Sequence, residues 1–301
     1  MRLGPEAIPL CKIRITRLLA MLLTVMSLAG CSGILAPAGP VGRSDLTILL
    51  NSVAIMLAIV IPTIVATLAV AWWFRASNRR ARYLPTFSYS GRLELIIWSI
   101  PALAIFFLGG IAWIGSHQLD PARPLPAKVQ PLEIDVVALD WKWLFIYPRQ
   151  GVASVNRMVA PVGVPLQLKI TSASVMNVFF VPRLGSMIYA MNGMTSQLNL
   201  QADATGDYPG LAAHFNGDGF SDMDFTMHAL SADDFANWVA TTHAQGAALD
   251  DSSYKDLLRQ SQKVEPYTYR SVQPGLFAAI LTQELPPGDG PGTNHHTAKE
   301  N

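Results

Sequence analysis

The string LTILLNSVAIMLAIVIPTIVATLAVAWWF, residues 46 to 74, holds 29 residues without a single charge. As a helix rising 1.5 Å per residue it would measure about 43 Å, more than the roughly 30 Å hydrocarbon core of a bilayer. It should therefore span with tilt or project beyond the lipid, with a kink expected at Pro62 near its middle. Leu93 to Ile114 supplies a second span of 22 residues, interrupted only by Glu94 near its start and by Pro101. Between the two lie Arg75, Arg79, Arg80, Arg82 and Arg92. Arginines in a short loop stay on the cytoplasmic side, so the chain before the first span and everything after about His117 are expected outside. Trp72, Trp73, Trp98 and Trp113 fall near the helix ends, where amphipathic rings settle at headgroup level.

Composition supports a chain that meets a membrane. Of 301 residues 50% are hydrophobic and 14% are charged, against roughly 25% charge in a soluble domain. A net charge of +1 gives no basic surface for nucleic acid. The even balance hides two halves: residues 1–116 carry ten basic and three acidic side chains, residues 117–301 twelve basic and eighteen acidic.

Upstream of the first span, Lys12, Arg14 and Arg17 precede an apolar run from Leu18 to Leu28 and the string Leu28-Ala29-Gly30-Cys31. This is a secretory signal pattern over residues 1–30, and its end resembles the bacterial lipobox, which makes Cys31 the expected lipidated first residue of the mature chain. Translation from Met21 would leave no basic segment ahead of the apolar run. Cys11 departs with the signal, so the mature protein has one cysteine, no intramolecular disulfide and no free thiolate for a metal.

Pro121, Pro124, Pro126 and Pro131 mark an extended linker into the external part. Runs rich in β-branched and aromatic residues follow at Leu132–Leu139, Trp141–Tyr147, Val164–Thr171, Ser174–Val181 and Ser196–Ala202. They predict a β-sandwich or barrel of about a hundred residues. Ala232–Ala247 and Ser252–Gln262 read as helices, with Ser231 and either Asp250 or Ser252 as N-caps. The expected organisation is a signal over 1–30, an N-terminal segment and two-helix hairpin over 31–116, an all-β domain over 117–230, a helical arm over 231–285 and a disordered Pro/Gly/His-rich tail over 286–301. No P-loop, dinucleotide fingerprint, nucleophile elbow or zinc-protease helix is present.

Three strings carry a family resemblance: Glu94-Leu95-Ile96-Ile97-Trp98-Ser99-Ile100-Pro101, Asp140-Trp141-Lys142-Trp143-Leu144-Phe145-Ile146-Tyr147-Pro148, and Phe179-Phe180-Val181-Pro182-Arg183-Leu184-Gly185-Ser186-Met187-Ile188-Tyr189-Ala190-Met191. From about Cys31 to Leu285 the chain resembles subunit 2 of the haem-copper respiratory oxidases. The lipobox, the Pro-Arg-Leu-Gly-Ser string and the helical arm are similar to the quinol-oxidising branch, the cytochrome bo ubiquinol oxidases. The resemblance implies a cupredoxin-like external domain and a chain anchored by two spans and a lipid in the bacterial inner membrane with its C-terminal domain periplasmic. It also implies a large haem-copper subunit and other oxidase subunits as partners, with haem and copper held there, none in this chain, and ubiquinol reaching the complex through the bilayer.

The cytochrome c-oxidising relatives carry a dinuclear copper centre in this domain. Carried over by resemblance, its early histidine falls on Asn177 and its two loop cysteines on Ala212 and Asn216. The glutamate falls on His214, the later histidine on Phe220, and Met223 alone is retained. Chemistry points the same way, because a dinuclear copper centre needs bridging thiolates. His214, His228 and His243 read as structural or solvated, and His295-His296 as an adventitious chelator in the tail. Met187, Met191, Met194, Met223 and Met227 read as core filling. Trp141 and Trp143 match the region where the relatives place an aromatic over copper, and packing is their expected role here. Glu94 is read two ways, as a proton-uptake carboxylate implied by the resemblance or as an interfacial acid favourable to a helix N-terminus and able to pair with Arg92. The expected function is a non-catalytic assembly subunit of a terminal ubiquinol oxidase. Its rivals are a copper-bearing subunit 2 of a cytochrome c oxidase and a free-standing lipoprotein or assembly factor.

Overall fold

The structure is a computed structural model and describes residues 33–82, 84–127, 129–288 and 290. The expected signal over 1–30, Cys31 and the pair His295-His296 lie outside the described residues. Helix α1 runs unbroken from Pro40 to Trp73, with proline at its first turn, where a missing N–H costs nothing. Within it, Pro62 withholds the N–H that the Ala58 carbonyl would otherwise accept. Helix α2 spans Gly91–Gln118. Both are long and apolar enough to cross a membrane, and their side chains face outward, Leu68 at 65% and Phe106 at 78% exposure. Such surface is stable only against lipid or another protein.

Among the described residues twelve strands follow: β1 (Leu132–Leu139), β2 (Lys142–Tyr147), β3 (Val152–Val155), β4 (Arg157–Pro161), β5 (Leu166–Ser172), β6 (Asn177–Phe180), β7 (Ile188–Ala190), β8 (Ser196–Leu200), β9 (Gly206–Ala212), β10 (Asp224–Leu230), β11 (Ala247–Leu249) and β12 (Tyr267–Val272). One sheet is ordered β11-β12-β3-β2-β1-β5-β8 and the other β4-β10-β9-β6-β7. The expected sandwich is present. The two sheets enclose one core in which Trp143, Phe145, Phe179 and Phe225 meet, with Phe179 and Phe225 stacked at 5.0 Å between ring centroids.

The outer face of the seven-stranded sheet has a second core. Val137, Leu139, Leu144, Ile146 and Val155 pack there against Leu249, Tyr254, Leu257 and Ile280 of the arm. This explains why β2 is a continuous apolar run instead of an alternating one: Trp143, Phe145 and Tyr147 face the other sheet, while Leu144 and Ile146 face the arm. The arm contains helices α3 (Ala232–Ala244), α4 (Asp251–Leu258) and α5 (Leu276–Leu281). Ser231 accepts from the Asp234 N–H and Asp250 from the Ser253 N–H, so Asp250 is the second cap. Helix α3 stops short of Ala247 because Gly246 turns at φ 94° into β11. The arm also contributes β11 and β12 to the sheet, strands its sequence did not announce. The tail expected to be disordered begins ordered instead, since the Gly288 N–H donates to the Ala173 carbonyl and Gln260 to the Gly290 carbonyl.

One carboxyl group lies inside this second layer. Asp135 on β1 is paired in register with Lys169 on β5 and Ile146 on β2, and burial pushes its pKa up to about 6 against the pull of Lys169. A folded pKa above the unfolded value of 3.8 means that stability rises as pH falls from about 6 toward 4, and is lowest above 6. Asp135→Asn should therefore raise stability by about 1 kcal/mol at pH 7.5. The gain should shrink to nothing near pH 4, as read by thermal unfolding across pH. An unchanged pH profile would refute it.

Candidate functional site

The loop between β9 and β10 folds back onto the start of β6 and brings four of the six carried-over copper positions together. Asn177 opens β6 and Ala212 closes β9. A short 3-10 turn over Phe220–Asp222 delivers Met223 to the head of β10, where its carbonyl accepts from the Ala212 N–H at 3.1 Å. Asn216 is buried in the middle: its side-chain amide donates to the Asn177 side-chain oxygen and to the Met223 sulfur at 3.0 Å. The Asn177 amide in turn donates to the Val175 carbonyl at 3.1 Å. The other two positions turn away. The His214 Nδ1 lies 3.0 Å from the Phe215 carbonyl and the ring stands edge-on to Tyr189. Phe220 packs against the core and Phe215.

Two amides, a methyl group and a thioether offer no bridging ligand, so the residues present do not fit a dinuclear copper centre. The amide of Asn216 instead ties loop to strand, although its own Oδ1 is buried without a partner among the described residues. No group of three or more His, Cys, Asp or Glu side chains that could hold a metal occurs among the described residues. His228 pairs with Asp207 at 2.6 Å. Of the methionines expected in the core, Met223 and Met227 are buried, whereas Met187 and Met194 are more than half exposed, because they sit on short loops flanking β7.

Trp141 occupies the tight turn between β1 and β2 in the left-handed region, φ 62°, a conformation costly for a bulky residue. Its indole N–H donates to the Asn216 carbonyl at 3.3 Å, and its ring rests on Gly219, where any Cβ would collide with it. Trp141 and Trp143 are both buried, in the packing role expected of them. Beside them Lys142 is buried, donating to the Arg259 carbonyl at 2.7 Å. Burial lowers its ammonium pKa to about 8, opposed by the attraction of Asp140.

The Pro182–Ser186 string does work that its sequence does not declare. It holds the segment leading into α1: the Ala38 N–H donates to the Arg183 carbonyl at 2.8 Å, Gly42 to the Leu184 carbonyl at 3.0 Å, and the Arg183 guanidinium to the Ala36 carbonyl at 3.1 Å. The Arg43–Asp203 ion pair and the Ser186–Asp45 hydrogen bond extend the seam onto the first turns of the helix. Gly39 approaches the Gln201 carbonyl so closely that a Cβ would collide with it. The first helix therefore projects past the apolar run into the β-domain, one of the two outcomes its excess length allowed.

Glu94 lies in the first turn of α2, exposed, with its N–H donating to the Ser90 carbonyl. Among the described residues it forms no ion pair, neither the one with Arg92 that the interfacial reading allows nor any other.

Residues 132–230 match the family model "Cytochrome C oxidase subunit II, periplasmic domain", and residues 243–288 match "COX Aromatic Rich Motif". The first interval begins with β1 and ends with β10. The sequence is 45% identical over 269 residues to the cytochrome bo(3) ubiquinol oxidase subunit 2 of Pseudomonas aeruginosa, covering 89% of this chain and 81% of that one. It is 47% identical over 263 residues to the ubiquinol oxidase subunit 2 of Acetobacter aceti, covering 86% of this chain and 85% of that one. Among solved structures, the periplasmic domain of subunit II of the cytochrome oxidase of Bradyrhizobium japonicum aligns with 40% of this chain and 96% of its own, at 26% identity and a TM-score of 0.37.

Proposed function

This chain belongs to the ubiquinol oxidase subunit 2 family, and on that premise we propose that it is the redox-silent anchoring subunit of a bacterial terminal ubiquinol oxidase. It is a membrane-anchored subunit of that oxidase, built to assemble with the other subunits. The large haem-copper subunit is the partner that the β-domain caps. Haem and copper reside there, and ubiquinol delivers its electrons to haem without passing them through this chain. The observation that carries the reading is the Asn216 amide seated between Asn177 and Met223, a polar filling where the cytochrome c-oxidising relatives hold metal. Purification of the whole complex through a tag on this chain tests it. The expected result is a haem spectrum with copper at the stoichiometry of the large subunit alone and no near-infrared band of a dinuclear copper centre. That band, or a preparation without haem, would overturn it.

Lipidation at Cys31 completes the anchor in this reading, supported by the Leu28-Ala29-Gly30-Cys31 string. Two spans already hold the protein, and a single acyl chain adds only about 0.8 kcal/mol per buried methylene. Cys31→Ser should block processing at this site yet leave the subunit in the membrane fraction. An intact mass showing an uncut signal and a free thiol in the wild type would refute the assignment.

Glu94 serves as the proton-uptake carboxylate of this chain. Its exposure at the end of the hairpin remote from the β-domain supports that role, since an acid at the interface exchanges protons with water at little desolvation cost.

A further inference from the structure

The end of the hairpin remote from the β-domain carries a concentration of positive charge that forms no ion pair among the described residues, with the Arg75 guanidinium over the Trp72 ring at 5.2 Å. Asp45 and Asp120 bracket a stretch in which Glu94 is the one acidic residue, while Arg75, Arg79, Arg80, Arg82 and Arg92 crowd the turn. No ion pair among the described residues involves any of them. The turn is nonetheless built. The Asn78 side-chain amide donates to the Trp73 carbonyl at the end of α1 at 2.6 Å, and its oxygen accepts from the Arg80 N–H at 3.1 Å. This arrangement wraps Arg75, Arg80 and Arg82, with Phe74, Leu84 and Phe87, around a cleft of about 800 Å³.

One turn further along α1 a second hollow opens between the two helices, about 830 Å³, walled by Pro62, Ala66, Val70, Ile97, Ile100 and Pro101. It is apolar in fact as well as in composition. The hydroxyls of Thr63 and Thr67, which also border it, are already donated to the carbonyls of Ile59 and Thr63 at 2.8 and 2.7 Å. Val70 borders the groove and Trp73 the cleft, so the two lie about 4.5 Å apart along the helix axis.

We propose that this end of the hairpin binds one anionic phospholipid, its phosphate held by Arg75, Arg80 and Arg82 and an acyl chain laid in the groove between α1 and α2. Guanidinium groups match phosphate oxygens bidentately, and phosphate is the anion that a bilayer presents at the depth of this turn. A net negative headgroup fits better than a zwitterionic one, whose own cation would be brought against the arginines. The groove supplies what a free phosphate would not use, a dry channel for hydrocarbon.

The test uses the intact oxidase complex, stripped of lipid by detergent exchange and titrated with phosphatidylglycerol or phosphatidylcholine under native mass spectrometry. Two variants separate the ends of the site. Arg75→Gln/Arg80→Gln/Arg82→Gln removes the anion contact while Arg79 and Arg92 maintain the orientation of the hairpin. Ala66→Trp leaves every charge in place and fills the groove. The wild type should bind phosphatidylglycerol about tenfold or more tightly than phosphatidylcholine; the arginine variant should lose that preference, and Ala66→Trp should keep it while binding both lipids more weakly. Equal binding of the two lipids by wild type, or wild-type binding by both variants, would overturn the proposal. So would failure of Ala66→Trp to assemble with the other subunits, because it would put protein rather than lipid in the groove.

Discussion

Trp143→Ala should destabilise the β-domain by about 3–5 kcal/mol, the range for removing a fully buried aromatic from a packed core. Trp143 has no exposed surface and stands edge-on to Phe179 and Phe225 at 5.4 and 5.8 Å. Its ring thus joins β2 of one sheet to β6 and β10 of the other. Its indole N–H has no partner among the described residues, whereas its backbone N–H is held by the Asn156 side chain at 2.8 Å. Trp143→Phe removes that unsatisfied donor and keeps most of the ring, so it should cost clearly less than the alanine variant. Denaturant unfolding of the purified protein, with yield of assembled complex as a second readout, distinguishes the two. A loss below about 1 kcal/mol for Trp143→Ala would mean that the two sheets do not depend on this contact.

Glu94→Gln should leave assembly and haem content intact while slowing turnover by roughly tenfold, less than the roughly hundredfold or more that a group transferring a proton at the reacting atoms contributes, because a carboxylate at the interface can be bypassed by water. Glutamine preserves size and most hydrogen bonding, so a purely structural carboxylate at a helix N-terminus would cost at most about 1 kcal/mol of stability and no rate. The exposed place of Glu94 in the first turn of α2 is common to both roles, so only the rate separates them. Steady-state ubiquinol oxidation by the assembled variant, measured across pH, is the deciding experiment. Wild-type turnover at every pH would leave Glu94 as an interfacial acid and nothing more.

Legibility in the sequence followed the strength of the local signal. The two spans could be placed because charge is absent from the first and confined to Glu94 near the start of the second, and β1 because Leu132–Leu139 is both β-branched and bounded. Strand β9 was hidden by Pro209 and two glycines, residues that weaken a strand. Its proline is tolerated because β6 pairs with β9 only at Leu211 and Ala212, leaving one side of Pro209 without a neighbouring strand. Strand β10 alternates cleanly in burial, yet it is not among the runs that the sequence predicts as strands. Which residues stand at the copper positions could be read directly. That Asn216 reaches Asn177 across 39 positions could not, nor that Arg183 clasps Ala36 across 147, because periodicity reports only neighbours along the chain.

The seam between the Pro182–Ser186 string and the start of α1 changes what docking requires of this subunit. A domain on a loose tether would search orientations above the bilayer and lose that freedom only on meeting its partner. Here the Gly42–Leu184, Ala38–Arg183 and Arg43–Asp203 contacts make the β-domain and the first helix a single lever. Once the hairpin has found its place among neighbouring helices in the plane of the membrane, the external domain arrives already aimed. Its closure onto the partner becomes a local event at high effective concentration rather than a second encounter.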